Sequence, residues 1–210
     1  MKKILNNKLM KSILTQNSKL KKTSKTMGVR VFNFGIPAYR SVTGKTTCPF
    51  AGGCVKYCYA QKGAYIWSNV TPAFEKRLQL TKQDNFVEVM TNEVKSKRCD
   101  FVRVHDSGDY YSPKYLRKWY DVANNCPDVK FYSYTNSVKM VKESDIPDNF
   151  DFTFSDGGKQ VHLIEDGDKH SRVFKSYDSM CAGGYVDASD NDLMSTKWYN
   201  KTNKVGLIYH

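Results

Sequence analysis

Residues 101–135, FVRVHDSGDYYSPKYLRKWYDVANNCPDVKFYSYT, alternate the pattern of a β-strand with the pattern of an α-helix. Residues 101–104 and 129–134 are rich in β-branched and aromatic side chains, which predicts two strands. Between them, Ser112 and Pro113 supply an N-cap oxygen and a preset first helical dihedral. The apolar face of this helix consists of Tyr115, Trp119, Val122 and Ala123. Such alternation is typical of parallel strands joined by right-handed crossovers.

The same alternation extends to both sides of this segment. Thr71 and Pro72 predict another helix start, and apolar residues continue at helical spacing to about residue 97, with a break near Asp84. A short helix is predicted over residues 138–142. Further strands are predicted over residues 29–34, 150–154, 161–164, 171–174 and 205–209. The chain is too short for eight such units, since a complete barrel usually needs about 200 residues or more. We therefore expect an incomplete, open parallel β/α barrel.

The formal net charge of +12 is concentrated at the N-terminus. Residues 1–28 contain eight lysines and no acid, which leaves +4 for the remainder. We therefore divide the chain into a basic arm, residues 1–28, and a single α/β domain, residues 29–210. Apolar residues at helical spacing between Ile4 and Leu14 predict a short amphipathic helix. Two interpretations of the arm stay open: contact with nucleic acid, an acidic membrane surface or a host protein, or a mobile lysine-rich tail.

The chain contains six cysteines, which could form disulfides, bind a metal or act as catalytic thiols. No apolar stretch approaches the length of a membrane span, and polar residues near Lys8 interrupt any signal-peptide core. We therefore expect a cytoplasmic protein without a transmembrane segment. In a reducing compartment, clustered cysteines are more often metal ligands or catalytic thiols than disulfides.

Cys48, Cys54 and Cys58 lie within residues 47–60, TCPFAGGCVKYCYA, in the loop after the first predicted strand. Thiolates bind soft metals, and a bound metal keeps a thiol deprotonated at neutral pH. Gly52 and Gly53 supply the dihedral freedom that a loop around a metal centre requires. The spacing therefore predicts a metal site, with an iron–sulfur cluster and zinc as the two candidates.

The choice between these metals depends on a fourth ligand. A structural zinc site takes four protein ligands. Cys99 and Cys126 precede strands at the opposite edge, so we expect both in the core. Cys181, in MCAGG at residues 180–184, is the candidate for the fourth position. If Cys181 binds, the site is closed; if it does not, one iron stays open to a small molecule.

The cysteine loop, with Tyr57 directly before Cys58, resembles the cluster loop of radical S-adenosylmethionine enzymes. Its spacing departs from that family's usual three and two intervening residues. A closer resemblance is to the gene-product-88 family of bacteriophage proteins, over roughly residues 30–210. The motifs that carry it are TCP at 47–49, CYA at 58–60, RVHDSGD at 103–109, Trp119, the strand end at 131–135 and the terminal His210.

The resemblance implies a small relative of the radical S-adenosylmethionine fold. It implies a 4Fe-4S cluster on the cysteine trio and S-adenosylmethionine on the open iron. Ser107, Gly108 and Asp109 stand where such enzymes hold the amino group of the cofactor's methionine part, with His105 and Asp106 in the same loop. Alternatively, His105 and Asp106 belong to a phosphohydrolase-like metal site, or Asp106 and Asp109 only cap the turn.

Two function classes follow. The first is a phage-type iron–sulfur protein that binds S-adenosylmethionine and acts as a radical enzyme on an unknown substrate. The second is a non-enzymatic module in which a cluster or zinc, closed by Cys181, holds the fold together. In that case the barrel rim and the basic arm contact a host protein or nucleic acid in the host cytoplasm.

Overall fold

The computed structural model describes residues 12–209, and its centre is one sheet of seven parallel strands. The strands lie in the order β1-β2-β3-β4-β5-β7-β6, and the sheet curls into an open half-barrel with helices, as the alternation predicted. The strands are β1 (Val31–Phe34), β2 (Phe101–Val104), β3 (Lys130–Thr135), β4 (Phe150–Ser155), β5 (His170–Phe174), β6 (Val186–Asp187) and β7 (Lys204–Ile208).

The helices α2 and α4 begin within one residue of their predicted starts. In α2, Thr71 is the first residue and Pro72 lies in the first turn; at the start of α4, Ser112 Oγ accepts a hydrogen bond from Tyr115 N at 3.3 Å. The described helices are α1 (Ser18–Met27), α2 (Thr71–Thr81), α3 (Phe86–Ser96), α4 (Pro113–Asn124), α5 (Val138–Lys142) and α6 (Tyr177–Ala182). The predicted break near Asp84 separates α2 from α3. Within residues 12–209, no helix is both long and apolar enough to cross a membrane.

One predicted strand is wrong, and the strand β6 and the helices α1 and α6 were not predicted. Residues 161–164 form a turn of 3-10 helix (Val161–Leu163), because Leu163 N bonds to Gln160 O at 2.9 Å instead of to a neighbouring strand. The helix α6 and the two-residue strand β6 lie in a segment with no clear periodicity. The remaining strand predictions are confirmed to within two residues.

The helix-covered face of the sheet holds the main apolar core. Trp119 of α4 is fully buried, with its ring centroid 5.0 Å from that of Phe34 and 5.4 Å from that of Phe86. Cys99 and Cys126 are buried in the same core, which confirms their predicted role as packing residues. This core joins β1 and β2 to the helices α3 and α4.

The opposite, inner face of the sheet is covered by α1 and residues 192–198, and it combines a smaller apolar cluster with a buried polar network around Asp192. Arg103 of β2 donates from Nη1 to Asp192 Oδ1 at 2.9 Å, and Lys19 Nζ lies 2.7 Å from the same oxygen. Tyr132 donates its hydroxyl hydrogen to Asp192 Oδ2 at 2.6 Å. Burial alone raises the pKa of Asp192, but Arg103 and Lys19 outweigh it and bring the pKa down to about 2.

The described part of the basic arm, residues 12–28, packs against the domain. Leu14 and Leu20 are fully buried, and Glu93 Oε1 accepts hydrogen bonds from the amides of Ile13 and Leu14 at 3.0 and 3.1 Å. Of the helix predicted between Ile4 and Leu14, residues 4–11 lie outside the described range. Ile13 and Leu14 are not helical, because their amides bond to Glu93. The arm contains a helix further along, at α1.

Candidate metal centre at the carboxyl edge of the sheet

The long loop between β1 and α2, residues 35–70, is fixed to two other loops at the carboxyl edge of the sheet. Ile36 N donates to Ser107 O at 3.0 Å, and Asp109 N donates to Thr47 O at 3.1 Å, which joins it to the loop after β2. Cys54 N donates to Gly157 O at 3.3 Å, which joins it to the loop after β4. The sequence motifs at residues 47–60 and 105–109 are therefore neighbours in space. This is the edge at which α/β folds of this kind place their ligands.

The three loop cysteines are free thiols and half-buried. Burial raises the pKa of the Cys48 thiol well above its ordinary value, and the nearby Asp109 and Cys58 raise it further. Burial also raises the pKa of Cys54, with Cys58 and Asp109 again adding to the effect. Cys58 thus opposes ionisation of both Cys48 and Cys54. Without a bound cation, Cys48 and Cys54 stay protonated at neutral pH.

Backbone amides are directed at these sulfurs. Tyr39 N lies 3.3 Å from Cys48 Sγ and donates a hydrogen bond to it. For Cys54, hydrogen bonds from the amides of Gly52 and of Cys54 itself act to lower the pKa, against the larger effect of burial. Such N–H···S bonds stabilise a thiolate and, in iron–sulfur proteins, tune the potential of the cluster.

Two glycines allow the loop after β4 to lie close beneath the cysteine loop. A Cβ on Gly157 would lie 2.7 Å from the Tyr57 hydroxyl oxygen and 2.9 Å from Cys54 Cβ. A Cβ on Gly52 would lie 2.7 Å from Gly157 O. The structure therefore explains Gly52 by close approach, whereas the sequence had suggested dihedral freedom. Gly53 has no heavy atom within 4 Å of its Cβ position.

His105 and Asp106 face the interior. His105 has φ +67°, and its Nε2 lies 2.8 Å from the hydroxyl of Tyr115. Burial lowers the pKa of His105 to about 3, so the ring is neutral. Asp106 Oδ2 accepts a hydrogen bond from Tyr65 at 3.1 Å, and the Asp106 carbonyl accepts one from Tyr59. Burial raises the pKa of Asp106. Asp106 thus anchors the cysteine loop through Tyr59 and Tyr65, whereas His105 is bonded within the core.

Asp109 connects the loop after β2 to the end of β3. Its carboxylate accepts hydrogen bonds from Tyr110 N at 2.7 Å, Thr135 Oγ1 at 2.6 Å and Asn136 N at 2.9 Å. Burial raises its pKa to about 6, although Thr135 and Asn136 act in the opposite direction. Most of the hydrogen-bonding capacity of this carboxylate is therefore used within the protein.

A cavity of about 260 Å³ opens beside the cysteine loop. It is slightly smaller than the pockets of about 300–1,000 Å³ that usually hold small molecules. Ser107 is buried in its wall, and its hydroxyl forms no hydrogen bond with any residue in the described range. Other lining residues include Pro37, Arg40, Tyr65 and Glu75. Of the predicted loop, Ser107 is thus the side chain available to a ligand.

Cys181 lies on α6 with an exposed side chain, next to Tyr177. Among residues 12–209, no three His, Cys, Asp or Glu side chains are arranged as the ligands of a single metal ion. The predicted fourth-ligand role of Cys181 stays a prediction.

Four residues that contribute to this edge, Tyr59, Tyr65, Arg103 and Asp192, were not predicted from the sequence. Tyr59 and Tyr65 reach down from the cysteine loop to Asp106, and Arg103 Nη2 lies 3.3 Å from the Tyr59 hydroxyl oxygen. Arg103 could have been noticed as a charge in the centre of the strand FVRV. Its partner Asp192 lies 89 positions away, and no local pattern links the two. Tyr110 and Tyr132 are buried core residues.

Comparison with known proteins identifies relatives in bacteriophages. A family model described as Gene product 88 matches residues 7–206. The Gene 88 proteins of Mycobacterium phages L5 and D29 are 31% and 30% identical to this chain over 101 residues. Each alignment covers 42% of this chain and 42% of the relative, so the matched part spans less than half of these curated proteins. No solved structure matches.

The family match also corrects the extent of the resemblance drawn from the sequence, because it starts at residue 7 and so includes most of the basic arm. It covers the cysteine loop, the loop after β2 and the whole sheet except the last residues of β7. The chain belongs to the gene product 88 family.

Proposed function

We propose that this protein binds a 4Fe-4S cluster through Cys48, Cys54 and Cys58 at the carboxyl edge of its half-barrel. The observation that carries the proposal is that three free, half-buried thiols lie on one loop, and that this loop is fixed to the loops after β2 and β4. Three cysteine ligands leave one iron of such a cluster without a protein ligand.

The chemistry around Cys48 and Cys54 supports a metal centre, and the loop must draw the three sulfurs together on binding, because no three His, Cys, Asp or Glu side chains in residues 12–209 are arranged to ligate one ion. Burial and the neighbouring Asp109 disfavour free thiolates at Cys48 and Cys54, so a bound cation is what would bring these sulfurs to their ionised form. The amide of Tyr39 is already directed at Cys48 Sγ. The exposed position of Cys181 on α6 supports an open site in preference to one closed by a fourth cysteine.

The finer proposal is that S-adenosylmethionine binds at this open site. When bound, a cluster and this cofactor together supply one-electron cleavage of a sulfonium. In this chain, Ser107 lines the adjacent cavity and Gly108, with φ +82°, makes the turn that presents it. Asp109 holds the turn to β3 through Thr135 and Asn136, so we assign Asp109 a positioning role.

Metal analysis of protein purified without oxygen tests the cluster. We expect about four irons per chain in the wild type and a large loss of iron in Cys48→Ala, Cys54→Ala and Cys58→Ala. Cys181→Ala is the matched control and is expected to keep its iron. About one zinc per chain, with no iron, would instead support the structural-zinc alternative. Loss of metal in Cys181→Ala would show a closed site.

The cofactor is tested separately on iron-loaded protein. We expect S-adenosylmethionine to change the electron paramagnetic resonance spectrum of the reduced protein, and Ser107→Val to weaken this response while leaving the iron content unchanged. An unchanged spectrum, together with no heat of binding in calorimetry, contradicts the cofactor proposal and leaves the cluster proposal intact.

A further inference from the structure

The positive charge of this chain extends well beyond the arm. Residues 1–74 contain 13 of the 33 Lys and Arg residues and none of the 21 Asp and Glu residues. Residues 75–210 contain the other 20 basic residues and all 21 acids, so this part is close to neutral. The loop between β1 and α2 contributes four of the cations in the first part: Arg40, Lys45, Lys56 and Lys62.

The same loop exposes large apolar side chains. Among residues 12–209, five of the eleven exposed large hydrophobic residues lie between residues 42 and 67. Trp67 is 61% exposed and Tyr59 is 54% exposed. We call the exposed residues Tyr57, Tyr59, Ile66 and Trp67, with the cations Arg40, Lys45, Lys56 and Lys62, the mouth patch. Exposed aromatic residues interleaved with cations are not explained by folding alone.

Two rings of the mouth patch are held in place from below. The Tyr59 hydroxyl donates to the carbonyl of Asp106, and burial raises the pKa of this hydroxyl to about 12 while the ring stays exposed. The Tyr59 ring also lies edge-on to Tyr65, with centroids 5.5 Å apart. Tyr57 lies edge-on to Tyr209 at 6.4 Å. Rings that are already ordered lose little entropy when a flat partner stacks on them.

The charge on this surface is not neutralised within the described chain. None of the four cations of the mouth patch forms an ion pair with a residue in the described range. Of the nearby acids, Asp156 is paired with Arg172 at 2.6 Å, and Glu75 accepts a hydrogen bond from Val42 N at 2.7 Å. Asp106 and Asp109 are buried beneath the loop. The mouth patch therefore presents net positive charge to solvent.

We propose that the mouth patch binds single-stranded nucleic acid, with its lysines on the phosphates and its exposed rings stacked on unpaired bases. Proteins that bind single strands combine these two features. Protein–protein interfaces favour aromatic residues and arginine but are depleted in lysine, whereas three of the four cations here are lysines. The proposal needs neither the metal nor the cofactor and so goes beyond the function proposed above.

Fluorescence anisotropy with the full chain tests this surface. The probes are a labelled 12-nucleotide DNA strand, the RNA strand of the same sequence, and the corresponding DNA duplex. We expect the single strands to bind more tightly than the duplex, and Trp67→Ala to weaken single-strand binding about tenfold. Trp67→Phe keeps a stacking ring and is expected to restore most of the affinity. Because Trp67 is exposed, thermal unfolding of both variants should match the wild type.

Salt dependence tests the lysines. Lys56→Gln/Lys62→Gln is expected to lower the slope of log affinity against log salt by about 1.4, since each single-strand phosphate contact contributes about 0.7. The matched control, Lys95→Gln/Lys201→Gln, removes two exposed lysines at the amino-terminal edge of the sheet and is expected to leave the slope unchanged.

Three results would overturn the proposal: no binding of any probe, tighter binding of the duplex, or wild-type affinity in Trp67→Ala. The first would leave a protein as the partner of the mouth patch, and the third would assign the binding to the arm. Iron measured on the same samples reports the cluster separately, so failure of one proposal is distinguishable from failure of the other.

Discussion

The helix-covered face of the sheet and its carboxyl edge differ in how they are held together: the first by apolar packing, the second by hydrogen bonds between loops. On the helix-covered face, Trp119, Phe34 and Phe86 pack within an apolar core that local periodicity predicts. At the carboxyl edge, the loop of residues 35–70 contains three short 3-10 helices and is held by hydrogen bonds to the loops after β2 and β4. The first region supplies stability, and the second holds chemical groups in position.

This difference leads to a general expectation. Substitutions on the helix-covered face and the inner face of the sheet should change the free energy of unfolding by several kcal/mol. Substitutions at the carboxyl edge should cost about 2 kcal/mol or less and should chiefly change binding. Four substitutions test this difference between the regions, in order of decreasing expected effect on the free energy of unfolding.

Trp119→Ala should be the most destabilising change. The side chain is fully buried against Phe34 and Phe86, and truncation of a buried Trp typically costs about 3–5 kcal/mol. Urea unfolding followed by circular dichroism measures the loss. Trp67→Ala, at a 61% exposed position of the cysteine loop, should cost less than about 0.5 kcal/mol. Equal costs at the two positions would remove the distinction between the regions.

Asp192→Asn should be the next most destabilising. It leaves the buried guanidinium of Arg103 without its charged partner, and breaking a buried ion pair typically costs about 3 kcal/mol or more. Lys19→Gln is the control, because Lys19 is partly exposed and Arg103 would still bond to Asp192. Unfolding of both variants at neutral pH gives the comparison, and an equal loss in both would contradict the central role of Arg103.

Asp109 should make stability depend on pH. Its pKa in the folded protein is about 6, against about 3.9 in the unfolded chain, so the folded state binds the proton more tightly. The stabilisation is fully present below pH 3.9 and is lost as pH rises through 6. From pH 4 to pH 6, the wild type should therefore lose about 2 kcal/mol relative to Asp109→Asn. If the free energies of unfolding of the two proteins change equally with pH, the raised pKa of Asp109 is contradicted.

Gly157→Ala should affect the cysteine loop more than the rest of the protein. The added methyl group would contact Cys54 Cβ and the Tyr57 hydroxyl, so the cysteine loop must shift. We expect about 1 kcal/mol of destabilisation and reduced iron content. Gly53→Ala is the matched control, since its Cβ position is open. Full iron content in Gly157→Ala would show that the metal centre tolerates movement of this loop.

Much of the barrel could be predicted from the sequence, because its signals are local. Ser112 and Pro113 are adjacent and predict the start of α4, and the four residues FVRV predict the strand β2. Residues 161–164 have the composition of a strand, but Val161–Leu163 form a 3-10 helix. Ile13 and Leu14, at the end of the helix predicted in the arm, are not helical, because their amides bond to Glu93, about 80 positions away.

The candidate site could be predicted only in outline. The sequence indicated parallel strands, and parallel strands place Cys48 and Asp109 at the same edge of the sheet. The contacts that fix the loop could not be predicted, because Gly157 lies 103 positions from Cys54 and Tyr59 lies 47 positions from Asp106. Such pairs depend on how distant loops meet, and no periodicity in the chain encodes them.

The central claim is that Cys48, Cys54 and Cys58 hold an iron–sulfur cluster. The most direct test is the Mössbauer spectrum of the full chain, produced with ⁵⁷Fe and purified without oxygen. We predict the spectrum of a 4Fe-4S cluster in the wild type and in Cys181→Ala, and its loss in Cys58→Ala. Iron-free protein, or a cluster spectrum that persists in Cys58→Ala, would contradict the claim.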